Sequence, residues 1–124
     1  MRRTVLLVDD ERHVLAVVGK MLEQRDFRVI SASSGEEALA LLENMTPDLA
    51  LLDIILPGID GATLAQRLRD HPATERTPIV FLTGLVEVAE VRSSRNQIGG
   101  QYFLAKPFDS TELFEVIDRA MSEA

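Results

Sequence analysis

Five polar side chains close apolar runs in this sequence, and their types suit one kind of chemistry. Asp9 and Asp10 follow TVLLV, Asp53 ends DLALLD, Thr83 ends PIVFLT, and Lys106 follows QYFLA. A lone carboxylate among leucines is expensive to bury, so Asp53 must sit at an edge, hold a partner or serve a reaction. Carboxylates crowded together repel, each pair costing up to ~4 kcal/mol at ~4 Å and an effective dielectric of about 20. A hard divalent cation, Mg²⁺ or Mn²⁺, makes that arrangement tolerable, because the donors are all oxygens. Lys106 adds an ammonium and Thr83 a hydroxyl. Cation, ammonium and hydroxyl around one carboxylate would clamp a phosphoryl group in transfer. Asp53 is then the nucleophile and an aspartyl phosphate the product.

For these residues to meet, the chain must bring the ends of its apolar runs together. The runs are Thr4–Val8, Arg28–Ala32, Asp48–Asp53, Pro78–Thr83 and Gln101–Ala105. Several are apolar at consecutive positions, the mark of strands covered on both faces of a parallel sheet. Amphipathic segments lie between them. Val14, Val18, Met21 and Leu22 share one helical face, as do Ala38, Leu41, Leu42 and Met45, and later Leu113, Val116, Ile117 and Ala120. Ser34 with Glu37, and Asp109 with Glu112, have capping-box spacing, and the helix holding Leu64 and Leu68 should stop before Pro72. The pattern is β-α repeated five times, which predicts an open α/β sheet of parallel strands with right-handed crossovers. Ligands of such sheets bind beyond the carboxyl ends of the strands, which is where the five polar residues fall.

The motifs VLLVDDE, LLDIILPGIDG, IVFLTG and FLAKPF, in that order, resemble the receiver domain of two-component response regulators over essentially the whole chain, residues 1–124. The resemblance implies a doubly wound, five-stranded, flavodoxin-like fold with strand order 2-1-3-4-5 and five helices. It implies that Asp53 is the phosphoacceptor. Asp10, Asp53 and the main-chain carbonyl of Ile55 would hold Mg²⁺ (or Mn²⁺) directly, and Asp9 would hold it through water. Lys106 would bind the phosphoryl group, Thr83 would move onto it, and Phe103 would change rotamer in response. The Lys106–Pro107 peptide would be cis. Gly84 stands where the family more often has alanine, and Phe103 lacks the hydroxyl of the commoner tyrosine, so switching there rests on packing. The implied partners are a sensor histidine kinase or phosphotransfer protein as donor, and an output protein or output domain as receiver of the signal. The fourth helix, fifth strand and fifth helix would form the switched face. Glu90 to Gly100 reads as a poor helix, because Ser93, Ser94 and Asn96 weaken it.

Composition narrows the field. The chain has 124 residues, 46% of them hydrophobic, and a net charge of −7. That balance speaks against direct nucleic-acid binding, which needs a basic surface. Without cysteine there are no disulfides or thiolate metal sites. No apolar run reaches spanning length and none resembles a signal peptide, so a soluble cytoplasmic protein that does not engage the membrane is expected. DRAMSEA ends the chain soon after the last helix, which fits either a stand-alone regulator or a receiver excised from a longer protein. Phosphorylation-dependent homodimerisation stays open.

Each chemical residue has a plain alternative: Asp9 and Asp10 as helix caps, Asp53 as a turn cap, Thr83 as a β-former, Lys106 as a surface lysine. Five such accidents on one rim are improbable. Phe27, Phe81 and Phe114 read as core, Phe108 as packing beside Lys106–Pro107, and His13 and His71 as surface residues. Met21, Met45 and Met121 fit helix core faces, and Glu87, Glu90, Arg92 and Arg95 a solvated one. Three competing functions remain. An unphosphorylated pseudo-receiver scaffold conflicts with the complete Asp, Thr and Lys set. An aspartate-nucleophile phosphatase needs an acid at position 55, which is Ile. A flavodoxin needs a phosphate loop where DDERH stands. A switch that is itself modified, rather than an ordinary enzyme, is the expectation. Apolar Ile55 and Leu85 flank the expected approach of water, which predicts slow self-hydrolysis.

Overall fold

The computed structural model describes residues 2–84 and 101–122 and the backbone of 97–98. In chain order the elements are β1 (Thr4–Val8), α1 (Arg12–Gln24), β2 (Arg28–Ala32), α2 (Gly35–Leu42), β3 (Leu49–Asp53), α3 (Gly61–Asp70), β4 (Ile79–Thr83), β5 (Gln97–Ile98), β6 (Gln101–Ala105) and α4 (Ser110–Ser122). The sheet order is β2-β1-β3-β4-β6-β5. Its first five members are the predicted parallel strands in the order 2-1-3-4-5, with β6 as the fifth. The fifth helix is α4 here. The predicted fourth helix, with Glu87, Glu90, Arg92 and Arg95, lies outside the described residues, as does Leu85.

Side chains alternate across the sheet into two cores. Val5, Leu7, Leu49, Leu51, Val80, Leu82 and Leu104 face α1 and α4, meeting Leu22, Leu113 and Ile117. Leu6, Val8, Ala50, Leu52, Ile79 and Phe81 face α2 and α3, meeting Ala38, Leu64 and Leu68. Every residue of β3 and β4 is buried, as expected for central strands covered twice, while the edge strand β2 is largely open. Phe27 stacks on Phe114 with centroids 6.4 Å apart, and Arg25 lies over the Phe114 ring at 4.3 Å.

The caps follow local chemistry. Ser34 accepts from the Glu37 N–H at 3.1 Å and Asp109 from the Glu112 N–H at 2.8 Å. Asp60 caps α3 through the Thr63 N–H at 2.8 Å, and α3 ends at Asp70, before Pro72. Two expectations need correction. Met45 lies beyond α2, which stops at Leu42. Thr46 precedes Pro47 and is biased away from helix, which favours an early stop. Gln97 and Ile98 are not helical: they pair antiparallel with Tyr102 and Gln101.

Because Leu51 is fully buried in a central strand, Leu51→Ala should cost about 2–5 kcal/mol. Urea denaturation of the variant beside the wild type measures it.

Candidate functional site

The strand ends carry the chemical residues past the sheet in a fixed register. Hydrogen bonding continues at the rim. Asp9 N–H donates to Ala32 O at 3.2 Å, Ile54 N–H to Leu82 O at 3.1 Å, and Lys106 N–H to Thr83 O at 2.9 Å. Thr83 lies opposite Ala105, and Asp53 opposite Leu82. Residues separated widely in sequence therefore reach one edge with little freedom of position.

Their side chains converge. Lys106 Nζ donates to Asp9 Oδ2 at 2.7 Å and to Asp53 Oδ2 at 3.2 Å, and lies 3.7 Å from Glu11 Oε1. The other Asp9 oxygen accepts from the Glu11 N–H at 2.9 Å, and Asp53 Oδ1 from the Ile55 N–H at 3.3 Å. Asp9 is fully buried and Asp53 nearly so, whereas Asp10 is exposed. One carboxylate oxygen from each of Asp9, Asp10 and Asp53 lies within 4.8 Å of the others. That all-oxygen donor set suits a hard divalent cation, which would also offset the repulsion among the three acids. Asp10, Glu11, Asp53, Ile55, Thr83, Gly84 and Lys106 line a cavity of about 260 Å³, room for a phosphoryl group and its ligands.

The electrostatics show strain. Burial raises the Asp53 carboxyl above its ordinary 3.8, the Asp9 charge raises it further, and Lys106 lowers it only in part. Burial alone would lower the Lys106 ammonium, but its bonds to Asp9 and Asp53 and their charges hold it above the ordinary value.

Phe103 lies outside the cavity. It is half-buried against Phe81, with ring centroids 5.5 Å apart and planes tilted by 32°. By strand alternation, Phe81 and Thr83 belong to the same face of β4. The Lys106–Pro107 peptide is cis. His13 and His71 are both exposed.

Two contributors were not singled out from sequence. Glu11 joins the lysine cluster, although only its place after Asp9-Asp10 hinted at that. Gly61 lets the loop after β3 fold back tightly: its N–H donates to Ile54 O at 2.9 Å, and an added Cβ would fall on the Asp53 carbonyl oxygen and 2.8 Å from Ile54 Cα. Gly35 is similarly crowded, by Ile59. The repeated Gly in PGIDG was the available signal for Gly61.

Residues 5–118 match the family model of the response regulator receiver domain. The phosphate regulon transcriptional regulatory protein PhoB of Rhizobium meliloti is 35% identical over 97% of this chain, but the chain spans only 52% of that protein. A crystallised Chloroflexus aurantiacus protein assigned as a response regulator superposes with TM-score 0.84 at 35% identity, covering 98% of this chain and 99% of that one. The receiver domain of the sensor histidine kinase PA1611 from Pseudomonas aeruginosa, solved with a magnesium ion coordinated in its active site cleft, gives 0.82 at 30% identity, covering 98% and 99%.

The raised Asp53 carboxyl has a definite sign for stability. The folded state holds this proton more tightly than the unfolded chain at 3.8, so the group's contribution is full below 3.8 and is lost as pH rises through the higher folded value. In metal-free buffer near neutral pH, Asp53→Asn should therefore unfold at higher urea than the wild type, and the gap should close on acidification. Gly61→Ala should cost about 1–3 kcal/mol through overpacking. The same denaturation series reads both.

Proposed function

This chain belongs to the response regulator receiver family, and from that premise we propose that residues 1–124 form a phosphoacceptor domain modified at Asp53. The observation that carries the reading is the shared Lys106 ammonium, 2.7 Å from buried Asp9 and 3.2 Å from Asp53, at the mouth of a cavity also lined by Thr83. An Asp53 oxygen attacks phosphorus in a phosphohistidine of a histidine kinase or phosphotransfer protein. The oxygen–phosphorus bond forms as the bond to the imidazole nitrogen breaks, and that nitrogen keeps the electron pair. Asp10, Asp53 and the Ile55 carbonyl would hold Mg²⁺ or Mn²⁺, with Asp9 acting through water. The cation would neutralise charge on the phosphoryl oxygens. Lys106 can pivot from Asp53 to a phosphoryl oxygen while keeping Asp9, since both partners share its one ammonium. Thr83 supplies a hydroxyl to another oxygen.

The phosphoryl group adds about two negative charges where a strained carboxylate stood. Thr83 moving toward it vacates space on the Phe81 and Phe103 face, and the Phe103 ring follows. The surface remodelled by this step would comprise the predicted fourth helix, β6 and α4. It is a population shift between two packings, read by an output protein or output domain. The role is that of a signalling module rather than an ordinary enzyme. No described helix is long and apolar enough to cross a membrane. With a net charge of −7, direct binding to nucleic acid is not proposed.

Incubation with acetyl phosphate and Mg²⁺ should add one phosphoryl mass to the intact protein. Omitting the metal or substituting Asp53→Asn should abolish the gain. Absence of any gain in folded, Mg²⁺-saturated protein would point instead to a scaffold that acts unmodified. Ile55 is 57% exposed at the cavity edge and offers no group to position water. The phosphoryl group should therefore persist for minutes or longer after donor removal; loss within seconds would contradict that role for Ile55.

A further inference from the structure

Glu11 occupies the N-cap position of α1, yet its side chain makes no capping bond. Its main chain is tied down: the N–H donates to Asp9 Oδ1 at 2.9 Å and the carbonyl accepts from the Leu15 N–H at 3.2 Å. The side chain is 64% exposed and instead reaches toward Lys106, at 3.7 Å. That ammonium is already committed to Asp9 and Asp53 at shorter range, so Glu11 is its weakest partner. The described rim thus holds four carboxylates, from Asp9, Asp10, Asp53 and Glu11, against one ammonium. Even a bound dication would leave an excess of negative charge. Glu11 also lines a second, largely apolar groove of about 380 Å³, with Val14, Val17, Met21 and Phe108, so it stands on the ridge between groove and phosphoryl cavity.

We propose that Glu11 sets the charge selectivity of this site for phosphodonors, disfavouring highly anionic small donors and favouring donors that bring positive charge beside their phosphoryl group. The inference rests on the phosphoacceptor reading of Asp53. Asp9, Asp10 and Asp53 form the oxygen set that a bound dication would answer, whereas the exposed Glu11 carboxylate lines the same cavity outside that set. Removing one charge at this range in a partly solvated site should change donor binding by ~3- to 10-fold, and salt should screen the effect.

The test uses intact-protein mass spectrometry with saturating Mg²⁺ and two small donors. With acetyl phosphate, a dianion, the Asp53 oxygen–phosphorus bond forms as the phosphorus–oxygen bond breaks and acetate leaves with the electron pair. With phosphoramidate, a monoanion carrying a protonated nitrogen, the phosphorus–nitrogen bond breaks and ammonia leaves. Wild type, Glu11→Gln and Glu75→Gln are compared; Glu75 is exposed at the opposite end of the sheet and controls for net charge. Glu11→Gln should lower the half-saturating acetyl phosphate concentration ~3- to 10-fold with little change in the saturated rate. The gain should be smaller with phosphoramidate and should fade at high salt. An unchanged half-saturation, an equal gain in Glu75→Gln, or a gain equal for both donors and insensitive to salt would overturn the proposal. A wild type modified by neither donor would instead overturn the phosphoacceptor reading beneath it.

Discussion

One ammonium is asked to answer more carboxylates than it can neutralise, and much at the carboxyl rim of the sheet follows from that. Lys106 binds buried Asp9 and near-buried Asp53 at once, with Glu11 at longer range. Taking these charges out of water costs more than an imperfect pairing returns, so Asp53 remains a reluctant carboxylate even beside a cation. A protein selected for stability alone would gain little from this arrangement. A site suited to a hard cation gains a good deal, since a bound dication would relieve most of what one ammonium leaves unbalanced.

The sheet makes that crowding enforceable. Parallel pairing continues through Asp9, Ile54 and Lys106, so the acids and the lysine cannot drift apart without breaking backbone hydrogen bonds. Below them lie two leucine-rich layers, one on each face, that hold β3 and β4 under complete cover. Tight backbone approaches at Gly61 and Gly35 then fold the loop after Asp53 back against the sheet. Strain at the rim is supported by the packing beneath it.

The same geometry links chemistry to surface. Thr83 lines the cavity, and Phe81 lies on the same face of β4, in contact with half-buried Phe103. A displacement of Thr83, as proposed for the modified state, would therefore have an aromatic pair next to it through which to reach the outer surface. Gly84 also lines the cavity, and no atom of the described residues lies within 4 Å of where its Cβ would stand.

The parallel strands, the main caps and the five chemical residues were legible in the sequence, because consecutive apolar runs, capping spacings and lone charges at run ends are local signals. Boundaries were less so. Met45 continues the helical apolar pattern but lies past the end of α2, and Gln97–Ile98 pairs as a strand only because β6 offers an edge. Glu11 was not singled out, since nothing local shows that a lysine far along the chain will come within 3.7 Å of it. The close fit at Gly61 likewise depends on where the Asp53 carbonyl ends up. The sequence by itself determined which groups could do chemistry and that a parallel sheet would bring them to one rim. Only the tertiary structure decided how one ammonium is divided among them, because that division depends on distances and burial set by strand register and packing.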